Sequence, residues 1–275
     1  MAVPLRQLST AELLSSTVSL YVEHAGLFVG IAALASLGNL AMSLFIPQAA
    51  SLVPRSSGGC LSAIAMLLLP LLGAVVGLAV AALTQGATLA AIAEMMLGGR
   101  ATVAGSFART RNRIVELMVV MFVLGIGTAI GFVLLIVPGV ILLLMWAVAL
   151  PAALFEGMLF SEAASRSSEL TSGHRGRIAL LVVAGSVVYL LVSFIAHMVV
   201  LAVWGADPVP QGIPDALTAR HVASAVSNYL VGSVVGPLAT IGTSLLYFDL
   251  RVRKEEYTVE RLAADWTSDL DTASS

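Results

Sequence analysis

Two glutamates, Glu94 and Glu156, stand where long apolar runs give way to short basic segments. Arginines follow each of them: Arg100, Arg109, Arg111 and Arg113 after the first, Arg166, Arg175 and Arg177 after the second. A third charged group, Asp249, Arg251, Arg253 and Lys254, follows the last apolar run. A carboxylate at the C-terminal end of a helix opposes the helix dipole, and one facing lipid is costlier still. Each glutamate is therefore expected to face protein and to meet an arginine. The candidate charged site comprises Glu94, Arg113, Glu156, Arg166, Arg177, Asp249, Arg251 and Arg253, with Arg113, Arg166 and Arg177 as leading partners for the two glutamates. Such a set can hold elements together or meet anionic headgroups; it makes or breaks no covalent bond.

Other residue types give less. The four histidines, His24, His174, His197 and His221, are far apart and show no metal-ligand spacing. No P-loop, G-x-S-x-G or paired-cysteine motif occurs. Neither a cofactor nor a metal is expected. Within the apolar runs the polar residues are Asn39, Gln85, Thr128, Ser193, His197 and Asn228, with no carboxylate at mid-depth of the kind that ion relays use. His197 is expected to hydrogen-bond between helices.

The elements that must position these charges are apolar helices. Roughly 20 apolar residues cross the hydrocarbon core of a bilayer. Six runs qualify: about 25–45, 61–97, 114–137, 140–160, 178–203 and 222–248. The 61–97 run exceeds one crossing, so it must tilt, kink near Pro70 and Gly73, or project beyond the bilayer. Pro138-Gly139 reads as a tight turn, and Pro151 as a kink within the fourth span. Ser9 and Glu12 form a capping box, with Leu8 and Leu13 as its hydrophobic staple, opening an amphipathic helix expected to lie on the surface. Ser161 is placed to cap a second surface helix, where Glu162 stands four residues before Arg166. The expected fold is an all-α membrane bundle of six spans with interfacial amphipathic helices on the cytoplasmic side. Residues 1–255 form the membrane domain and 256–275 a charged cytoplasmic tail.

Composition supports this class. Of the 275 residues, 59% are hydrophobic and 11% charged, against about 25% charged in soluble domains. A net charge of −2 gives no reason to expect a nucleic-acid partner. Cys60 is the single cysteine, which excludes an intrachain disulfide. Residues 1–20 lack the uninterrupted apolar stretch of a signal peptide. On alternate sides of six spans, Lys and Arg divide twelve against two, with Arg55 and Arg220 the minority. The positive-inside rule then puts both termini in the cytoplasm. Residues 90–114 and 151–178 read as a parallel repeat: span, glutamate, Met-Leu, short helix, arginines, span. Gly26/Gly30, Gly73/Gly77, Gly127/Gly131 and Gly232/Gly236 have the G-x-x-x-G spacing of close helix contacts, within the bundle or between copies of the chain.

Three segments carry a resemblance. Pro138, Gly139, Leu150, Pro151, Glu156, Gly157, Arg166, Ser167, Leu170, Thr171 and Gly173 form the first, the opening helix the second, and Tyr247, Asp249, Leu250, Arg251 and Arg253 the third. Together they resemble the membrane domain of some bacterial glycerophosphoryl diester phosphodiesterases and its standalone relatives of unknown function. In the opening helix Ser15 stands where that family has an acidic residue. The family's catalytic barrel has no counterpart here. His174-Arg175-Gly176 matches a tripeptide of that barrel, but without the barrel's acidic metal ligands it reads as coincidence. The resemblance implies a non-enzymatic protein of the bacterial inner membrane, acting in envelope or membrane-lipid organisation with membrane lipids as partners. The alternative is a transporter or channel for a small or lipidic solute, with a cavity between the two repeated units.

Overall fold

A computed structural model describes residues 6–51, 60–205 and 218–264. Among them there is no strand. The helices are α1 (Thr10–Glu23), α2 (Ala25–Ser51), α3 (Cys60–Met96), α4 (Val103–Arg111), α5 (Ile114–Leu134), α6 (Ile136–Met145), α7 (Ala149–Glu156), α8 (Phe160–Thr171), α9 (Arg175–Trp204) and α10 (Ala219–Glu255). Six stretches are long and apolar enough to cross a membrane: Ala25–Ile46, Leu67–Met96, Ile114–Leu134, Ile136–Glu156, Arg175–Trp204 and Ala219–Glu255. Leu8 lies against Asp249 near the end of α10, and arginines following α3 and α7 and ending α10 gather at that same end of the bundle.

Helix α1 starts as the sequence suggests. Ser9 accepts from the Glu12 amide, Glu12 accepts from the Ser9 amide, and Leu8 and Leu13 are buried. The direction of α1 is different from the expected one. It runs antiparallel along α10: Leu8 lies beside Asp249, Thr17 beside Gly242, and the Tyr21 hydroxyl donates to the Val234 carbonyl at 2.6 Å. Its buried residues are Leu13, Thr17 and Leu20, while Leu14, Val18 and Val22 are exposed. After a break at His24, α2 continues along α10, with the Tyr229 hydroxyl on Ala33 O and a His221 ring nitrogen on Ser43 O.

The third and fourth spans correct the sequence reading. Helix α5 ends at Leu134, and the chain reverses through the single extended residue Leu135. Pro138 and Gly139 therefore lie inside α6 rather than in a turn. The fourth span is not one helix kinked at Pro151. It breaks at 146–148, and Pro151 is the third residue of α7. Pro138 holds the same place in α6. The first turn of a helix has no use for the amide that proline lacks, so both prolines favour a start and bend nothing. The span also ends at Glu156, where Gly157 takes a left-handed backbone (φ 65°). Ser161 caps nothing: α8 begins at Phe160 with Leu159 in the cap position.

Helix α8 closes the break. The Ser167 hydroxyl donates to Met145 O at 2.7 Å and accepts from the Val148 amide at 3.3 Å. The Thr171 hydroxyl also reaches Met145 O. Backbone groups freed inside an apolar protein must find such partners. Helix α4 folds back in a similar way along α3, placing Thr110 against Gly86, where any side chain would collide.

Packing divides the molecule in two. Residues 86–93, 148–155 and 244–251 are buried without interruption, hence on every side of their helices. They pack with α1, α4 and α8 into a dense cap at the charged end. The other regime is α9, where every residue from 185 to 192 is exposed. Helices α3 and α10 have 37 residues each, about 55 Å, against a hydrocarbon core of about 30 Å. Helix α3 is continuous through Pro70, and its excess length leads into the cap. The cap also takes in residues past 255, because Tyr257 and Leu262 are buried; residues 265–275 of the expected tail lie outside the described residues.

Candidate functional site

Helix α10 organises the charged end through a simple register. Tyr247, Arg251 and Glu255 recur every four residues on one face; Asp249 and Arg253 lie on another. Each face carries its own network.

The first network joins α7, α8 and α10. Glu156 ends α7, and the Arg166 Nε atom meets both its oxygens at 2.9 and 3.2 Å. The Tyr247 hydroxyl donates to Glu156 Oε1 at 2.7 Å and accepts from Arg251 Nη1 at 3.1 Å. Arg251 Nε donates to Glu255 at 3.0 Å, and Arg166 also pairs with Glu255. The Arg251 guanidinium lies 3.6 Å from the centre of the Tyr257 ring. Two carboxylates thus face two guanidiniums, with the Tyr247 hydroxyl between them. Burial opposes the charge on Arg166, but Glu156 and Glu255 outweigh it and raise its pKa. Phe155, Tyr247 and Phe248 stack behind the network, with ring centres 5.1–5.5 Å apart.

The second network joins α1, α9 and α10. The Asp249 side chain is fully buried and accepts from Arg177 Nη1 at 2.8 Å, Arg253 Nε at 2.9 Å and the Leu8 amide at 2.6 Å. Both arginines also donate to the Leu8 carbonyl. The two backbone polar groups of Leu8 are thereby held, and its side chain is buried.

Glu94 and Arg113 stand apart from both networks. Glu94 pairs with Arg109 of α4 at 2.9 Å, not with Arg113. Arg113 pairs with Glu116 at 3.1 Å and donates to Leu154 O at 2.9 Å, tying the start of α5 to α7. Arg177 serves Asp249 rather than either glutamate. Glu162 gives Arg166 no ion pair; its carboxylate partners are Glu156, Glu169 and Glu255. Both repeated segments nevertheless set a glutamate at a helix end against an arginine of the short helix that follows. Tyr247, Glu255, Arg109 and the Leu8 backbone were not among the sequence candidates. The four-residue spacing of Tyr247, Arg251 and Glu255 is the signal that could have found two of them.

A cleft of about 550 Å³ lies beside the cap and is lined by none of these charges. Gln85, Met121, Thr128, Phe132, Leu143, Trp146, Leu150, Val182 and Thr243 are among its walls. Of the paired glycines, Gly127 and Gly131 pack against Trp146 and Gly139, and Gly73 against Ile46, all within the bundle; Gly232 and Gly236 face open space.

The fold and the site define a helical membrane protein of six candidate spans, whose charged end is held by buried ion pairs. No family model, no curated protein and no solved structure matches the chain.

Proposed function

We propose that the protein is a non-enzymatic component of the bacterial inner membrane that organises anionic lipids at a basic cytoplasmic rim. One observation carries this reading. The deep arginines spend their charge on Glu94, Glu156, Asp249 and Glu255, but Arg100, Arg111 and Arg175 are exposed and have no ion pair among the described residues. They follow α3, complete α4 and begin α9, at the charged end of the bundle. A guanidinium near an anionic leaflet gains about 1 kcal/mol. Resemblance to the membrane domain of the phosphodiesterases supports the same lipid direction. So does the division into cap and exposed helices: in this reading the cap lies on the cytoplasmic side, with α4 and α8 at the interface. Where transport is considered instead, the apolar walls of the cleft favour a lipidic solute over a hydrophilic one.

The test is lipid selectivity. Protein reconstituted with spin-labelled phosphatidylglycerol is expected to immobilise more label than with spin-labelled phosphatidylcholine, with the difference shrinking in salt. Replacing Arg100, Arg111 and Arg175 together by Gln should remove the preference and leave the melting temperature unchanged. An undiminished preference in the triple variant rejects the proposal.

A further inference from the structure

The cleft beside the cap is a site of a different kind. No charged residue lines it. Its rim residues Phe132 and Leu143 are exposed and belong to apolar spans, so it opens sideways rather than onto a charged surface. Inside, the Gln85 amide nitrogen meets only the Met121 sulfur, at 3.9 Å, a weak contact for a strong donor. From Met121 to Phe132 the wall formed by α5 extends about 16 Å. Its volume falls in the range of about 300–1,000 Å³ that small-molecule sites occupy. Val182 of α9 belongs to the wall, and in the next two turns residues 185–192 of α9 are all exposed, which continues the gap away from the cap.

We propose that this cleft holds one acyl chain of a membrane lipid, with Gln85 donating to the ester carbonyl at the head of that chain while the glycerol and headgroup stay outside the lateral opening. The inference rests on the lipid reading above for its setting, but not on the arginines. An occupant arriving through the side of the bundle comes from the hydrocarbon phase. The uncharged walls exclude an ion or a headgroup phosphate, and the underused amide calls for a neutral acceptor. The break in the fourth span at 146–148 shapes one wall, since Trp146, Leu150 and Pro151 all line the cleft. A second copy of the chain, offering a side chain through the same opening, is the competing occupant.

Trp146 provides the probe. The chain has three tryptophans, and replacing Trp204 and Trp266 by Phe leaves Trp146 alone. This protein is reconstituted in vesicles of phosphatidylcholine brominated along the acyl chain. Trp146 emission is expected to fall strongly relative to unbrominated vesicles. Gly125→Phe should fill the cleft and restore most of the emission, because a side chain there meets no neighbouring atom within 4 Å. Ala129→Phe should do the same, with elution volume and melting temperature confirming that both variants fold. Unquenched Trp146, or equal quenching in both filled variants, overturns the proposal. Cross-linking between two copies through Ala129→Cys, in a Cys60→Ser background, would also overturn it and assign the cleft to a homo-oligomer. Because the vesicles contain only zwitterionic lipid, the result is independent of anionic selectivity at the rim.

Discussion

At the scale of residues, Asp249 of α10 and Glu156 of α7 each hold arginines from a neighbouring helix against the cap. Asp249 is a fully buried carboxylate shared by two arginines and a backbone amide. Removing its charge strands Arg177 and Arg253 among buried groups. Breaking one partner of a buried pair costs about 3–5 kcal/mol, so Asp249→Asn is expected to lower the melting temperature in detergent sharply. Glu156→Ala should act in the same direction, because its side chain is 12% exposed and that of its partner Arg166 17%. Glu162→Ala, on an exposed position without an ion pair, should change stability by no more than about 0.5 kcal/mol. Equal effects at positions 156 and 162 would show that the first network is solvated. Glu12 gives a pH test. The Ser9 amide and hydroxyl and Arg6 hold its pKa at about 2, below its ordinary 4.5. A depressed carboxylate contributes stability above the unfolded value, and loses that contribution as pH falls through the folded one. The protection of α1 amides, taken relative to the unfolded chain at the same pH, should therefore fall between pH 4.5 and 2 in the wild type. Glu12→Gln should show the lower protection throughout, without that transition. That Glu94 and Glu156 meet arginines was legible from the dipole and the cost of exposed charge. The choice of Arg109 over Arg113 was not, because it depends on α4 folding back along α3.

At the scale of elements, the fourth span shows what periodicity misses. Residues 140–160 are apolar throughout except Glu156, so no sequence signal separates one helix from two. The break at 146–148 depends on Ser167 and Thr171, nineteen or more residues away, which supply partners for Met145 O and Val148 N. Proline was the obvious suspect and the wrong one, since Pro151 occupies a first turn. This gives two contrasting expectations. Ser167→Ala leaves the buried Val148 amide without its acceptor, and an unsatisfied buried backbone group costs about 1–3 kcal/mol. Pro151→Ala removes no hydrogen bond and only loosens the unfolded chain, worth about 0.4–1 kcal/mol. Thermal melts of the two variants check the order. A larger loss for Pro151→Ala would put the strain back at the proline and leave α8 as a passive neighbour.

At the scale of the molecule, the apolar run at 61–97 exceeds one bilayer crossing, and length alone left tilt, a kink or projection open; α10, at 37 residues, also proves longer than its apolar run. Tight burial at 86–93 and 244–251 shows that one end of each helix is enclosed by protein, in the cap formed with α1, α4, α7 and α8. Composition could not reveal this, because alanine, leucine and isoleucine serve a protein core and a lipid-facing surface equally well. The division also gives the orientation a sharper experimental form. Arginines crowd the cap, so the proposed orientation, with the cap on the cytoplasmic side by the positive-inside rule, can be tested at named positions. Asn112 and Ser165 are exposed at that end, and Ala219, beginning α10, is exposed at the other. In a Cys60→Ser background, a cysteine at Ala219 is expected to react with an impermeant thiol reagent in intact cells. Cysteines at Asn112 and Ser165 should react only after the membrane is opened. Labelling at Asn112 or Ser165 from outside would invert the protein, moving the arginine rim to a face where the anionic cytoplasmic leaflet cannot reach it. The lipid-organising role would then fail with the topology, while the acyl-chain cleft, which opens within the bilayer, would stand.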